Sequence, residues 1–168
     1  MRKVLIFGNS ASGKSTLAKR LAKTEKLAHL DLDLLAWQAT TPPTRTPLVE
    51  STLAIELFIQ QHESWVIEGC YSDLLTIAQS ASTEILFMNL CIDDCIVNAK
   101  NRPWEPHKYD SKATQDANLA MLIEWISQYE LREDTFSKSA HLDFYQNYAG
   151  MKKMLTSNVE CIAEPSHN

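Results

Sequence analysis

Gly8-Asn9-Ser10-Ala11-Ser12-Gly13-Lys14-Ser15 follows the apolar run Val4-Leu5-Ile6-Phe7 and leads into a helical pattern that begins at Thr16. A strand that ends in a glycine-bounded loop and turns into a helix aims several backbone N–H groups and the positive end of a helix dipole at one point. That arrangement suits a polyphosphate. Gly8 allows a tight turn off the strand, and Gly13 lets the backbone close on phosphates without a Cβ in the way. The stretch reads as a phosphate-binding loop, or P-loop, spanning Gly8 to Thr16. In it Lys14 would reach the β- and γ-phosphates of a nucleoside triphosphate and the Ser15 hydroxyl would ligate Mg²⁺. Average residue usage produces G-x-x-x-x-G-K-S in well under about one chain in a hundred of this length.

The remainder of the 168 residues sets limits. This length fits a single domain, 1–168, with a substantial core. An apolar share of 45% and a charged share of 22% belong to a soluble globular chain. No apolar run approaches the ~20 residues of a membrane span, and the N-terminus enters a strand directly, so a cytoplasmic location and no membrane partner are expected. Cys70, Cys91, Cys95 and Cys161 are too scattered for a disulfide framework, and none forms C-x-x-C. Cys91 and Cys95 stand at a spacing that could share a helix face, and two buried thiols are expected there rather than a metal pair. A net charge of −5 argues against a nucleic-acid groove.

Strand and helix signals alternate. Lys3 to Phe7 reads as a buried parallel strand, followed by a helix with Leu17, Ala18, Leu21 and Ala22 on one face. Leu27 to Leu30 is a second strand that delivers Asp31 and Asp33 to its C-terminal end. Gln38 to Thr46 is a loop, and Thr46-Pro47 reads as an N-cap and first-turn proline opening a helix to about His62. Trp65 to Ile67 is a third strand ending at Glu68-Gly69, and Thr83 to Leu90 is a fourth. A helix with Cys95 and Ile96 then runs into the proline-broken segment from Asn101 to His107. Beyond Ser111 a long helix carries Leu119, Leu122, Ile123, Ile126 and Tyr129, with Met121 and Trp125 widening the stripe. Ser137 caps a last helix closed by Gly150, and Val159 to Ala163 is a fifth strand. Such alternation predicts an α/β doubly wound parallel sheet with ligands at the carboxyl ends of its strands. The P-loop, Asp31/Asp33 and Glu68 each follow a strand, so they should gather along one edge.

Together, the Gly8–Ser15 loop, Asp31-Leu32-Asp33, Trp65-Val66-Ile67-Glu68-Gly69 and Arg102 resemble the P-loop kinase group that contains adenylate, shikimate and gluconate kinases. The runs His29 to Trp37 and Trp65 to Ser72 are also similar to small adenylate-kinase-related bacterial ATPases, some labelled topology-modulation proteins. The resemblance implies five strands in the order 2-3-1-4-5, ATP and Mg²⁺ as cofactors, and a lid around residues 101–112. It further implies that Asp31 stands in the outer shell of the metal and that Asp33 binds or deprotonates an acceptor hydroxyl. If the segment stays extended, both carboxylates share one face. Glu68 takes the place of a Walker-B-type carboxylate. Where adenylate kinases carry a phosphate-gripping arginine, Cys70, Tyr71 and Ser72 stand instead.

Phosphoryl transfer needs donor, metal and acceptor held in line, with charge neutralised on the transferred oxygens. Lys14, Asp33, Glu68 and Arg102 are the candidate catalytic residues, Arg102 delivered by the lid. Asp31, Asp33, Trp37, Arg45, Gly69 and Tyr71 are candidates for holding a small-molecule acceptor, with Trp37, Trp65 and Tyr71 able to stack. Residues 31–80 hold one cation, Arg45, whereas an anionic acceptor calls for arginine forks. A hydroxyl compound of low negative charge is therefore expected. His29 and His107 read as core or surface residues, and Lys108 and Arg132 as secondary lid candidates. The alternative is a nucleotide-binding regulatory ATPase that hydrolyses slowly and acts through a partner. A GTPase is disfavoured, since the chain lacks N-K-x-D.

Overall fold

The computed structural model describes residues 1–106 and 108–159. Strand β1 (Lys3–Gly8) is the central strand, and helix α1 (Lys14–Glu25) begins directly behind the P-loop. Lys26 takes a left-handed conformation at the end of α1 and turns the chain into β2 (Ala28–Asp31). Leu32 is already helical and starts the single turn α2 (Asp33–Ala36), so the D-x-D segment is not extended as expected. The reason is local: the Asp31 carboxylate accepts the Asp33 backbone N–H at 2.9 Å, which caps the turn and ends the strand.

The expected loop at 38–46 contains a small antiparallel hairpin, β3 (Trp37–Gln38) with β4 (Thr44–Arg45). Helix α3 (Leu48–Gln61) follows, and Pro47 is its N-cap rather than its first-turn residue. The Thr46 backbone N–H is tied back to the Ala36 carbonyl at 3.0 Å, which joins the hairpin to α2 ahead of the helix. Then come β5 (Trp65–Gly69), α4 (Ser72–Gln79), β6 (Glu84–Met88) and α5 (Ile92–Asn101). The long helix expected beyond Ser111 is divided at Asn118 into α6 (Lys112–Ala117) and α7 (Leu119–Ser127), and a 3-10 turn carries on through Tyr129. Ile126 and Tyr129 are buried as expected, but Met121 is 67% exposed and lies outside the stripe.

Ser137 caps α8 (Lys138–Asn147) through its hydroxyl. The helix ends before Gly150, where a Cβ would stand 2.7 Å from the Tyr148 ring. The outer strand is β7 (Met151–Leu155). Val159 is exposed at the end of the described chain, and Cys161 and the rest of that predicted strand lie outside the described residues. Lys152 and Lys153 mask β7 in the sequence, yet they suit an open edge where charge discourages further pairing.

The five long strands are parallel in the order β2-β5-β1-β6-β7. With the two hairpin strands numbered in, the order reads 2-5-1-6-7; counted over the sheet's own five strands in chain order it is 2-3-1-4-5. Alternation along β1 splits the core between the sheet's two faces. Val4 and Ile6 pack with Leu17, Leu21, Cys95 and Ile126 beneath α1, α5 and α7. Leu5 and Phe7 pack with Ile55, Leu74, Leu75 and Phe144 beneath α3, α4 and α8. No helix among the described residues is long and apolar enough to cross a membrane.

Candidate active site

The carboxyl ends of β1, β2 and β5 meet at one cleft of about 850 Å³. Its floor is the P-loop. Gly8 has φ +147° and an added Cβ would lie 2.3 Å from the Met88 carbonyl oxygen; Gly13 has φ +97°. Both positions therefore demand glycine. Gly13 is also the N-cap of α1 and brings no side chain to the first-turn amides, which at any helix start lack intrahelical partners. These amides are left for an anion.

Ser10, Ala11, Gly13, Lys14, Ser15 and Thr16 line the cleft. Asn9 and Ser12 are buried behind it and form the frame of the loop. The Lys14 ammonium donates to the Asn9 carbonyl at 2.7 Å, inside the ring the loop makes. Two asparagines absent from the sequence reading brace the loop from outside. Asn158 donates to the Ser12 carbonyl at 2.9 Å, and Asn98 donates to the Ala11 carbonyl at 2.9 Å and to Asn158 Oδ1 at 2.8 Å.

The expected gathering of acids occurs. Asp31 and Glu68 are register partners across β2 and β5, and Glu68 and Asp33 line the cleft. Glu68 is buried, its Oε1 has no hydrogen-bond partner among the described residues, and His29 Nε2 stands 3.6 Å away. Asp33 Oδ1 accepts the Tyr71 hydroxyl at 2.6 Å, and Oδ2 accepts the Lys108 ammonium at 2.9 Å. Burial would raise the Asp33 pKa, but Lys108, Tyr71 and Lys14 outweigh it and hold the carboxyl below its ordinary value. Asp31 moves the opposite way, pushed up by burial and by the charges of Glu68 and Asp33.

The aromatic candidates stand one step back. Tyr71 is buried and Trp37 is 39% exposed; Trp37 Nε1 donates to the Tyr71 hydroxyl at 2.8 Å, so both support Asp33 without lining the cleft. Trp65 is fully buried in the core. Arg45 is turned away as well: it pairs with Asp73 at 2.9 Å and its guanidinium lies 5.0 Å from the Tyr71 ring centroid. Gly69 does line the cleft, where a Cβ would press on Leu32 and Tyr71.

The cations that face the acids come from the segment between α5 and α6. Arg102 lines the cleft, pairs with Glu105 at 2.9 Å and donates to the Tyr109 hydroxyl at 3.2 Å. Lys108, a secondary candidate in the sequence, is the residue that touches Asp33 and approaches Asp31. Gln115 pins this irregular segment, accepting the Glu105 N–H at 2.9 Å and donating to the Pro103 carbonyl at 3.1 Å. His107 lies outside the described residues. Arg132 lies against the Trp125 ring, 3.5 Å from its centroid, and does not line the cleft.

Below the floor, His141 is buried and neutral: the Tyr129 hydroxyl meets Nδ1 at 2.7 Å and Nε2 meets the Cys70 carbonyl at 3.0 Å. No sequence motif marks this chain of bonds, which fixes the backbone just after Glu68-Gly69.

Among the described residues no group of three or more His, Cys, Asp or Glu side chains is placed to hold a metal ion. The Ser15 hydroxyl lines the cleft beside Lys14, one protein oxygen of the kind that a Mg²⁺ ion keeping water and phosphate ligands would use.

No protein-family model and no curated protein matches this sequence. Solved structures do. A sugar kinase from Janibacter sp. HTCC2649 is 13% identical, with 93% of this chain and 85% of that one covered at a TM-score of 0.50. Shikimate kinase from Bacteroides thetaiotaomicron is 15% identical over 86% of this chain and 97% of that one, at 0.45. An uncharacterized protein from Eubacterium ventriosum is 15% identical over 96% and 94%, at 0.47. At such identity the likeness to the Janibacter protein concerns the fold, a parallel α/β sheet flanked by helices.

Proposed function

We propose that this protein transfers the γ-phosphoryl group of ATP to a hydroxyl of a small molecule of low negative charge. The observation that carries the reading is the single cleft that holds the P-loop together with Asp33 and Glu68. The fold shared with the Janibacter sugar kinase accords with it.

In this reading the loop amides and Lys14 grip the triphosphate, Lys14 exchanging the Asn9 carbonyl for phosphate oxygens. Ser15 contributes the protein ligand to Mg²⁺, with Asp31 in its outer shell; the ion supplies neutralisation of the phosphate oxygens. Arg102, from the proline-rich segment, adds positive charge at the open side. Asp33, fixed by Tyr71 and Lys108, holds the acceptor. Its lowered proton affinity suits an anchor better than a base, whereas the unpartnered Glu68 Oε1 is free to receive the hydroxyl proton. As the acceptor oxygen bonds to the γ-phosphorus, the bond to the bridging oxygen breaks and ADP leaves.

The test is ADP release with Mg²⁺ and ATP against a panel of hydroxyl metabolites. At least one member should raise the rate far above that in water alone, and Asp33→Asn should abolish the increase while ATP affinity survives. Equal turnover in the variant, or a water-only rate throughout the panel, contradicts the proposal; the second outcome is that of a slow regulatory ATPase.

A further inference from the structure

Resting on that reading, we infer that the acceptor is a cationic alcohol: an amino sugar or amino alcohol whose protonated primary amine occupies the seat that Lys108 fills in the structure. The Lys108 ammonium lies 2.9 Å from Asp33 Oδ2, 3.8 Å from Asp31 Oδ2 and 3.9 Å from Glu105 Oε1. An alkylammonium is therefore already held among three carboxylates at the cleft. The seat has N–H···O geometry toward Asp33, and the described acids are not arranged as metal ligands.

A second observation is independent of Lys108. Glu68 is buried, lines the same cleft and leaves Oε1 without a hydrogen-bond partner among the described residues. A buried carboxylate oxygen left unmatched is costly unless a donor or cation completes it. The groups nearby do not complete it: His29 Nε2 stands 3.6 Å away and makes no hydrogen bond to it, and Arg45 is committed to Asp73 outside the cleft. Three acids thus share the ammonium of Lys108 and Glu68 lines the same cleft, while Arg102 there is already paired with Glu105, so an anionic acceptor would face carboxylates rather than a free arginine fork.

Lys108 belongs to the irregular segment between α5 and α6, so a competing amine displaces a side chain carried by a loop rather than by a core element. Once displaced, that ammonium remains in a cleft it shares with Lys14 and Ser15, where the phosphates are held. Acceptor binding would in this way hand Lys108 from the carboxylates to the donor.

The experiment has two arms. In the first, ADP release by the wild-type protein is measured with acceptors matched except at one carbon, such as glucosamine, N-acetylglucosamine, glucose and glucuronate, together with a parallel set of amino alcohols. Amine members should exceed their neutral partners about 10- to 100-fold in kcat/KM, the range expected of a charge-assisted hydrogen bond, and Glu105→Gln should narrow that ratio. A neutral or carboxylate member in the lead overturns the amine inference and leaves phosphoryl transfer standing.

In the second arm, n-butylammonium is titrated into ¹⁵N-labelled Lys108→Met and compared with n-butanol. Saturable shifts at the amides of Asp33, Glu68 and Glu105 with the ammonium alone support the seat. No shift, or the same shifts with both probes, overturns it. Butylammonium binding alongside a silent acceptor panel supports the seat and refutes phosphoryl transfer instead.

Discussion

Tyr71→Phe removes one oxygen atom from a buried position and should loosen Asp33. The hydroxyl donates to Asp33 Oδ1 at 2.6 Å and accepts from Trp37 Nε1 at 2.8 Å. A hydrogen bond to a charged group contributes about 1.5–3 kcal/mol, but the Asp33 side chain is 40% exposed, so screening puts this one at the low end, about 1.5 kcal/mol. The indole bond adds about 0.5 kcal/mol, because a partly exposed Trp37 can turn to water. The sum is about 2 kcal/mol. For a chain of this length that lowers Tm by about 4–8 °C. Thermal and urea unfolding followed by circular dichroism measure it. With one of the interactions that lower its pKa gone, the Asp33 carboxylate should also titrate higher, a change NMR can follow. A variant within about 0.5 kcal/mol of wild type, with Asp33 titrating as before, would refute the placement of Tyr71 as the support of Asp33.

Other predictions follow from burial and loop geometry. Burial holds His141 down to about 4, against its ordinary 6.5, with the Cys70 carbonyl opposing the shift. The unfolded chain binds that proton first as pH falls, so stability is complete above pH 6.5 and lost progressively toward pH 4, by about 3 kcal/mol. His141→Gln should flatten that slope in urea titrations, and an unchanged slope contradicts the assignment. Gln115→Ala cuts both ties to the Arg102–Ser111 segment, about 2 kcal/mol in all, which should raise tryptic cleavage after Lys108 roughly 30-fold; an unaltered rate means that the segment is held elsewhere. Gly8→Ala drives a Cβ into the Met88 carbonyl and should yield no soluble folded protein, so a variant with native circular dichroism and Tm would show that the loop can shift.

The parts of the fold that could be read from sequence are those where one residue type satisfies one physical demand. Glycines at Gly8 and Gly13, a lysine beside them and an apolar strand before them point to one local structure. Asp33 and Glu68 were legible because strand ends in a parallel sheet converge. Lys108 was weakly marked, since its seat depends on how an irregular segment folds over the sheet. Asn98, Asn158, Gln115 and His141 were invisible for a related reason: each meets a backbone carbonyl, amide or hydroxyl that tertiary structure alone brings near. Strand β7 was missed because its exposed edge carries Met151, Lys152 and Lys153, and only Leu155 is fully buried. Arg45 misled in the other direction, a cation close in sequence to the site but drawn off by Asp73 and three aromatic rings.

The central claim is that the P-loop and the strand-end carboxylates serve one reaction, and a crystal structure with Mg²⁺ and a non-hydrolysable ATP analogue tests it most directly. The account predicts the triphosphate wrapped by residues 8–16, Lys14 released from the Asn9 carbonyl, and the terminal phosphoryl group turned toward Asp33 and Glu68. A nucleotide bound elsewhere, or a terminal phosphate directed away from both carboxylates, would contradict it.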